Sequence, residues 1–462
     1  MSAPDPRRPL AAALCLLAVA ASLASPAPPN PTLRIGLRLG TQSVRVSGEG
    51  SFQFLGPSGR PLATGQAQEV WRVWAIPEWV WSAPGRAPLR PQAGDEVFLI
   101  SPCGRAVAAS PLPLTVRPRS GHLVALDCAA DHWDRIATRS YRGDFEICQG
   151  ARGGTLSLVN LVDLESYLQG VVPSEMSQGY PLEALKAQAV AARTECLSCL
   201  RRHLVDGADM CNTQHCQVYG GVTSEAATTT AAVEATRGLV LTYQGALAHC
   251  VYAAVCGGHT ENNDDVWAVP PLPYLRGQPD FDPAQHPQLR FPLDQASLAA
   301  YLEGPLAAYC CQPQWSKPEY YRWRVEVDRA ELERRLAATG VQVGSVTALT
   351  PLARGVSGRI KSLQVRGTAG EATLGPELAI RRALGSLRSS DFLVTWTTAP
   401  DGLPARFTFV GAGWGHGVGM CQVGAVGLAA AGADFRAILA RYFPGTSLCP
   451  RWQIRQGRFS AS

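Results

Sequence analysis

One carboxylate, Glu175, lies where a short apolar segment meets the start of a helical pattern. The apolar segment, residues 168–172, ends at Pro173, and Ser174 then offers a hydroxyl suited to capping a helix. A carboxyl group at such a junction, beside apolar surface, can acquire a raised pKa and donate a proton. From spacing alone, a Glu175 that merely caps a helix is the favoured interpretation.

A long helix is predicted directly after this junction. Pro181 suits a first helical turn, and Leu185, Ala189 and Ala192 then recur at helical spacing. The same helix carries three polar side chains, Lys186, Gln188 and Arg193.

A second group with chemical potential is rich in cysteine and histidine. Its members are Cys196, Cys199, His203, Cys211, His215 and Cys216. Their spacing fits zinc, which takes four ligands from thiolates and imidazoles. Disulfides are the rival interpretation, which an exported compartment favours. Cys250, Cys256, Cys310 and Cys311 are left for disulfides or free thiols, because pairing does not follow from sequence.

A glycine-rich block surrounds His416. Gly415, Gly417 and Gly419 alternate, but no Lys-Ser or Lys-Thr follows, which argues against a phosphate-binding loop. Alternating glycines instead let the backbone approach a ligand or another strand closely. His416 and Gln422 are therefore candidates to line a cleft with Glu175.

Several ordered motifs resemble the stage II sporulation protein D (SpoIID/LytB) family, over residues 141–446. They are VVPSEM at residues 171–176, PLEALKAQAVAAR at 181–193, GGHTEN at 257–262, DVW at 265–267, GWGHGVGM at 413–420 and YFPGT at 442–446. Two departures stand out: Cys421 replaces the serine of a Met-Ser-Gln element, and residues 253–256 (AAVC) replace a serine-rich run.

The resemblance implies a peptidoglycan lytic transglycosylase acting on peptide-stripped glycan strands. Glu175 would be its general acid and base, cleaving between N-acetylmuramic acid and N-acetylglucosamine to give a 1,6-anhydro product. Candidate substrate-binding residues are Ser174, Gln188, Arg193, Tyr219, His416 and Gln422. Asp264 or Asp265 would make hydrolysis credible if either faced Glu175.

The resemblance also implies a structural zinc held by His203, Cys211, His215 and Cys216, with no catalytic cofactor. Cys196 and Cys199 are then left to pair with each other or elsewhere. Two further functional classes stay open: a glycan-binding enhancer of a cell-wall amidase, and a purely structural wall protein stapled by zinc.

The whole chain is expected to be exported and α+β. Residues 1–25 are predicted as a signal peptide and 26–32 as a Pro-rich linker, so extracytoplasmic function is favoured over an uncleaved anchor. Predicted next are a β-rich region (33–140), a mixed SpoIID-like catalytic domain with a long signature helix (141–448, insertion 278–318) and a tail (449–462).

The formal charge of +5 does not demand nucleic acid and suits an anionic wall polymer. No membrane span is expected after signal cleavage. The tryptophans Trp71, Trp74, Trp79 and Trp81 are expected to be buried more readily than to bind sugar.

Overall fold

The computed structural model describes residues 30–76, 94–129, 136–304 and 306–453. The predicted signal peptide, Trp79 and Trp81 lie outside the described residues, as do most of the predicted linker and tail.

The strands of the described residues follow one another along the chain. They are β1 Thr32–Thr41, β2 Ser43–Gly48, β3 Phe52–Leu55, β4 Pro61–Gly65, β5 Trp71–Ala75, β6 Val97–Ile100, β7 Ala106–Ser110, β8 Leu114–Pro118, β9 Leu123–Ala129, β10 Ile136–Tyr141, β11 Asp144–Gln149, β12 Leu156–Asp163, β13 Met210–Cys211, β14 Leu239–Tyr243, β15 Ala246–Leu247, β16 Tyr252–Ala253, β17 Arg322–Asp328, β18 Val346–Arg354, β19 Ile360–Gly367, β20 Gly370–Leu374, β21 Phe392–Thr398, β22 Pro404–Ala412, β23 Met420–Cys421 and β24 Ser447–Pro450.

The α-helices are concentrated after β12. They are α1 Leu164–Glu175, α2 Leu182–Ser198, α3 Ala227–Ala235, α4 Asn263–Val266, α5 Gln295–Glu303, α6 Pro318–Tyr321, α7 Arg329–Ala338, α8 Glu377–Ala383, α9 Gln422–Ala430 and α10 Phe435–Tyr442. Short 3-10 turns occur at Leu204–Asp206, Gly221–Ser224, Pro283–Gln285 and Arg451–Gln453. Helices and separate, mostly antiparallel sheets make the fold α+β, which confirms the predicted class.

Two sheets build the amino-terminal part. One has the order β13-β1-β12-β11-β8-β3-β4 and the other β10-β9-β2-β5-β6-β7. The alternation in β1 buries Leu33, Ile35 and Leu37, as its period of two predicts. Because β1 pairs with β12 and β13, residues on both sides of the limit predicted at 140/141 share one sheet. The domain limits themselves stay a prediction.

Tryptophan burial in this part agrees with the structural interpretation. Trp71 is 6% exposed and its ring lies 5.3 Å from that of Phe54. Trp74 is partly buried, with the Arg72 guanidinium 5.9 Å from its ring centre.

The long predicted helix is confirmed as α2, and it lies in the main core. Leu185, Ala189 and Ala192 are all fully buried, as their helical spacing predicts. Helices α1, α3, α9 and α10 pack around it. The apolar core around α2 is continuous with that of the two amino-terminal sheets.

A second, smaller core lies in the later part of the chain. Strands β17, β22 and β21 form one sheet and β18, β19 and β20 another, with α7 and α8 packed on them.

Two findings concern export. Among the described helices, none is both long and apolar enough for a membrane crossing. The 13 cysteines within the described residues are all free thiols.

Candidate active site

Glu175 is the last residue of α1, not the start of the next helix. Asp163 caps α1, accepting hydrogen bonds from the backbone N–H groups of Glu165 and Ser166. Pro173 lies inside the helix, which continues past it to Glu175. The carboxylate therefore sits at the carboxyl end of α1, and five residues separate it from Pro181, the N-cap of α2.

The predicted capping role of Ser174 is wrong. Its hydroxyl donates back to the Gly170 carbonyl at 2.7 Å and accepts the Gly220 N–H at 3.1 Å. Because Ser174 is already inside α1, its side chain has no free helix terminus to cap. It instead ties the end of α1 to the backbone of residues 218–221.

Glu175 is partly buried, and this shifts its protonation equilibrium. Burial raises its pKa from 4.5 to about 7, opposed by hydrogen bonds from the Val218 N–H and the Gln422 side chain. The Val218 N–H donates to Glu175 Oε1 at 2.7 Å. Near neutral pH both protonation states are therefore populated, as a group that first donates and then accepts a proton requires.

Gln422 contacts Glu175 and links it to Gln188 on another helix. Gln422 begins α9, and its Nε2 donates to the Glu175 carbonyl and to Gln188 Oε1, both at 3.3 Å. Gln188 is fully buried on α2, and its Nε2 has no hydrogen bond of normal geometry within the described part of the chain. Of the predicted site residues, Gln188 and Gln422 are thus brought to Glu175.

Tyr252 was not predicted as a site residue. Its buried hydroxyl likewise lacks a hydrogen bond of normal geometry among the described residues. Burial, and next the charge of Glu175, raise the pKa of Tyr252 well above its usual range, which places the phenol close to the carboxylate. Its sequence signal was weak, since Tyr252 precedes the GGHTEN motif by five residues and falls beside the altered serine-rich stretch.

His416 organises backbone and leaves no ring nitrogen free. Its Nε2–H donates to the Tyr252 carbonyl at 2.9 Å, and its Nδ1 accepts the Val418 N–H at 3.0 Å. Burial, and next the positive charge of Arg359, lower the pKa of His416 to about 4, so the ring is neutral at neutral pH. The expected role in lining the cleft becomes one of positioning Tyr252.

The glycines around His416 permit close backbone approach, as predicted. Gly417 and Gly419 have φ values of +78° and +71°, which favour glycine. A Cβ at Gly419 would collide with the Val251 carbonyl, and one at Gly417 with the Arg359 guanidinium. This lets β16 and β23 pair in parallel, which carries Tyr252 and Gln422 to the site.

Arg193 and Tyr219 lie in the protein core. Arg193 is fully buried and pairs with Glu165 of α1 at 2.7 Å. Tyr219 is 1% exposed and donates from its hydroxyl to Asn160 Oδ1 at 3.0 Å. Because their polar groups are already bonded inside the protein, both side chains support α1 and are not available to a glycan.

Asp264 and Asp265 are each held by a cation. Asp264 pairs with Arg276 and Asp265 with Lys361, both at 2.5 Å. Neither contributes to the pKa of Glu175, which burial and two hydrogen bonds account for. Within the described residues, no second carboxylate therefore lies close enough to shift the pKa of Glu175.

The four residues implied as zinc ligands converge. One ligand atom from each of His203, Cys211, His215 and Cys216 lies within 4.8 Å of the others. His215 Nδ1 is 3.1 Å from His203 Nε2, 3.8 Å from Cys211 Sγ and 3.5 Å from Cys216 Sγ. A tetrahedral zinc with bonds of about 2.0–2.3 Å sets its ligand atoms roughly 3.3–3.8 Å apart, so the donors fit zinc.

We call His203, Cys211, His215 and Cys216 the first metal cluster. Cys196 and Cys199, the other cysteines of residues 196–216, lie apart from it. Cys196 is fully buried on α2, and the Cys199 thiol donates to Glu195 Oε1 at 2.9 Å. Cys216 precedes Val218 by two residues, so the first metal cluster adjoins the N–H group that holds Glu175.

Two protein-family models match different parts of the chain. Residues 152–243 match the family model described as stage II sporulation protein (SpoIID), and residues 261–419 match a domain of unknown function, DUF8618. Glu175, the first metal cluster and α2 fall in the first match.

Three curated relatives are similar over most of the chain. An amidase enhancer of Bacillus subtilis is 32% identical over 61% of this chain and 40% of its own length. An uncharacterised protein of Brachyspira hyodysenteriae is 31% identical over 64% of this chain and 68% of its own length. The B. subtilis stage II sporulation protein D is 28% identical over 63% of this chain and 75% of its own length. The chain thus spans under half of the amidase enhancer.

Proposed function

The chain belongs to the SpoIID family, and we propose that it acts on the cell wall as a peptidoglycan lytic transglycosylase. The observation that carries this proposal is the partly buried carboxyl of Glu175, whose pKa of about 7 lets it donate and accept a proton near neutral pH. The expected substrate is a glycan strand stripped of peptides.

In the proposed reaction Glu175 works in two steps. The protonated carboxyl first gives its proton to the oxygen that links N-acetylmuramic acid to N-acetylglucosamine, and the bond from C1 to that oxygen breaks. An oxocarbenium-like centre develops at C1, as in other glycoside cleavages. The 6-hydroxyl of the muramic acid then attacks C1 while Glu175 takes its proton. The product is a 1,6-anhydro sugar, no water is consumed, and Glu175 ends protonated.

Surrounding groups hold this acid in place. The Val218 N–H stabilises the carboxylate formed after the first step, because it donates to Oε1 at 2.7 Å. Gln188, Gln422 and Tyr252 are proposed to surround and orient Glu175, where buried polar atoms of Gln188 and Tyr252 lack hydrogen bonds of normal geometry. Four further residues are proposed to hold the backbone and helices around Glu175 in place through bonds inside the protein. They are Ser174, Arg193, Tyr219 and His416.

A structural zinc in the first metal cluster is part of the proposal. His203, Cys211, His215 and Cys216 would hold the ion, which would brace the backbone leading to Val218. Four protein ligands close the coordination sphere, so the zinc has a structural role and takes no part in bond cleavage.

Loss of one ligand should remove that ion. Cys211→Ser is expected to lower the zinc content of the purified protein by one ion per chain and the Tm by roughly 5 °C or more, because structural zinc contributes folding energy. Elemental analysis and calorimetry measure both. Cys103→Ser, at an exposed cysteine, is the control. Equal zinc contents in all three proteins would contradict a site at Cys211.

The pH profile should report the pKa of Glu175. Because the acid must be protonated, kcat/KM is expected to fall about tenfold per pH unit above roughly pH 7. Gln422→Met removes a group that lowers the pKa, so the alkaline limb should move to higher pH. An alkaline limb near pH 4.5, or one unmoved by Gln422→Met, would count against Glu175 as the titrating acid.

Product analysis tests the proposed activity directly. The purified protein is incubated with intact and with amidase-treated peptidoglycan, and the fragments are identified by mass spectrometry. Anhydro-muramic ends support a lytic transglycosylase, whereas reducing ends indicate a hydrolase.

A second candidate function rests on the similarity to the protein named amidase enhancer. In that case the cleft binds glycan or a cell-wall amidase without cleaving. Absence of both kinds of product, with retained glycan binding and a faster partner amidase, would establish this alternative. Either function places the protein outside the cytoplasm.

A further inference from the structure

A second group of metal-ligating side chains lies in the interior. Its members are Cys256, Asp280, Cys310 and Cys421, each 1% exposed. One ligand atom from each lies within 4.8 Å of the other three. We call this group the second metal cluster.

The four residues come from widely separated parts of the chain. Cys256 follows β16, Asp280 lies between α4 and α5, Cys310 follows α5, and Cys421 ends β23 and caps α9. The fold thus brings three thiols and a carboxyl to one buried point at the amino end of α9. Chance burial of single cysteines does not account for such convergence.

The spacing of the sulfur atoms fits metal ligands. Cys256 Sγ lies 3.6 Å from Cys310 Sγ. Two thiolates on one tetrahedral zinc, with bonds of about 2.3 Å, stand about 3.7 Å apart. A disulfide requires about 2.05 Å.

The Asp280 carboxyl lacks a cation. Its Oδ1 accepts the Tyr442 hydroxyl at 2.6 Å, but the buried Oδ2 has no hydrogen bond of normal geometry in the described part of the chain. Within the described residues, the side chains that interact with this carboxyl are those of Cys256, Cys310 and Tyr442, with no lysine, arginine or histidine among them. Burying such a group is costly unless it is paired or coordinates a metal. A cation between Asp280 and the three sulfurs would satisfy Oδ2.

The surroundings of Cys421 favour a thiolate. The backbone N–H groups of Cys256 and Gly424 donate to its Sγ at 3.1 and 3.3 Å. Cys421 also stands at the amino end of α9, where the helix dipole stabilises negative charge. Tyr442 on Asp280 and these amides on Cys421 are the kind of outer contacts that orient metal ligands.

We propose that the second metal cluster binds one divalent ion, for which zinc is the best match. Three thiolates and one carboxylate complete a tetrahedron without an open position, so the ion is structural. It would join the segment around Asp280 and Cys310 to the first turn of α9. Gln422, which contacts Glu175, is the residue next to Cys421. The proposal does not depend on which reaction Glu175 catalyses.

Metal content of the full chain tests the proposal. The double variant Cys211→Ser/Cys216→Ser disables the first metal cluster and should keep one zinc per chain. X-ray absorption on that variant should show about three sulfur neighbours at about 2.3 Å and one oxygen. With Co²⁺ as the probe, thiolate-to-cobalt bands should appear.

Further variants separate the second metal cluster from adventitious binding. Adding Cys310→Ser or Asp280→Asn to the double variant should abolish or weaken zinc binding. Adding Cys311→Ser, at the exposed neighbouring cysteine, should leave it unchanged. The proposal is overturned if the double variant holds no zinc, or if alkylation and mass spectrometry show Cys256 and Cys310 in a disulfide. It is equally overturned if X-ray absorption shows no sulfur neighbours around the retained metal. That measurement needs only the folded double variant.

Discussion

Replacing Glu175 by glutamine is expected to lower glycan cleavage at least about 100-fold, because proton transfer by a positioned side chain contributes that much or more. Glutamine nearly matches the shape of glutamate and cannot donate an acidic proton. Glycan binding should therefore persist. The measurement is the rate of anhydro-muramic product formation, with binding followed separately by co-sedimentation.

Stability provides the control for this variant. Burial raises the pKa of Glu175 to about 7, above its unfolded value of 4.5, so the native state loses stability as pH rises between those values. Above roughly pH 7 the neutral Glu175→Gln protein should thus have a Tm equal to or above that of the wild type. Glu371→Gln, at an exposed carboxylate on β20, should keep full activity. An active Glu175→Gln protein would refute catalysis by Glu175, and a lower Tm would attribute lost activity to misfolding.

Breaking the buried ion pair between α1 and α2 should strongly destabilise the protein. Arg193→Met is expected to cost about 3–5 kcal/mol, because it leaves the Glu165 carboxylate buried without a countercharge. Glu165 is 2% exposed, and Arg193 also donates to the carbonyls of Val233 and Leu239. The free energy of unfolding in urea measures the loss.

Two further variants test whether the uncompensated buried charge causes this loss of stability. In the double variant Glu165→Gln/Arg193→Met the uncompensated charge is gone, so part of the lost stability should return. The remainder stays lost, because the carbonyls of Val233 and Leu239 still lack the arginine donor. Arg366→Met breaks an exposed pair with Glu371 and should cost less than about 1 kcal/mol. Equal losses in Arg193→Met and Arg366→Met would show that burial does not govern this interaction.

The spacing of apolar residues along the sequence predicted helices and strands that pack into the hydrophobic core. The spacing of Leu185, Ala189 and Ala192 identified α2 because one apolar face repeats along the helix. The β-rich region predicted at 33–140 likewise contains β1, whose alternation buries Leu33, Ile35 and Leu37. The first metal cluster was also foreseeable, since its four ligands fall within 14 residues of sequence and follow a family pattern.

Long-range contacts set the limits of prediction. The apolar segment ending at Pro173 was expected to precede the helix that begins near Glu175, but α1 runs through Pro173 and ends at Glu175. Arg193 looked like a site residue because its partner, Glu165, is distant in sequence. The second metal cluster joins residues 256, 280, 310 and 421, and no local spacing signals such a group.

Each hydrogen bond that lowers the pKa of Glu175 comes from a residue just after a cysteine of a metal cluster. Val218 follows Cys216 by two positions, and Gln422 follows Cys421 directly. The proposed chemistry uses no sulfur, yet oxidants or alkylating agents that reach these thiols would disturb the acid. An inhibition screen would then record a thiol-sensitive enzyme that has no nucleophilic cysteine.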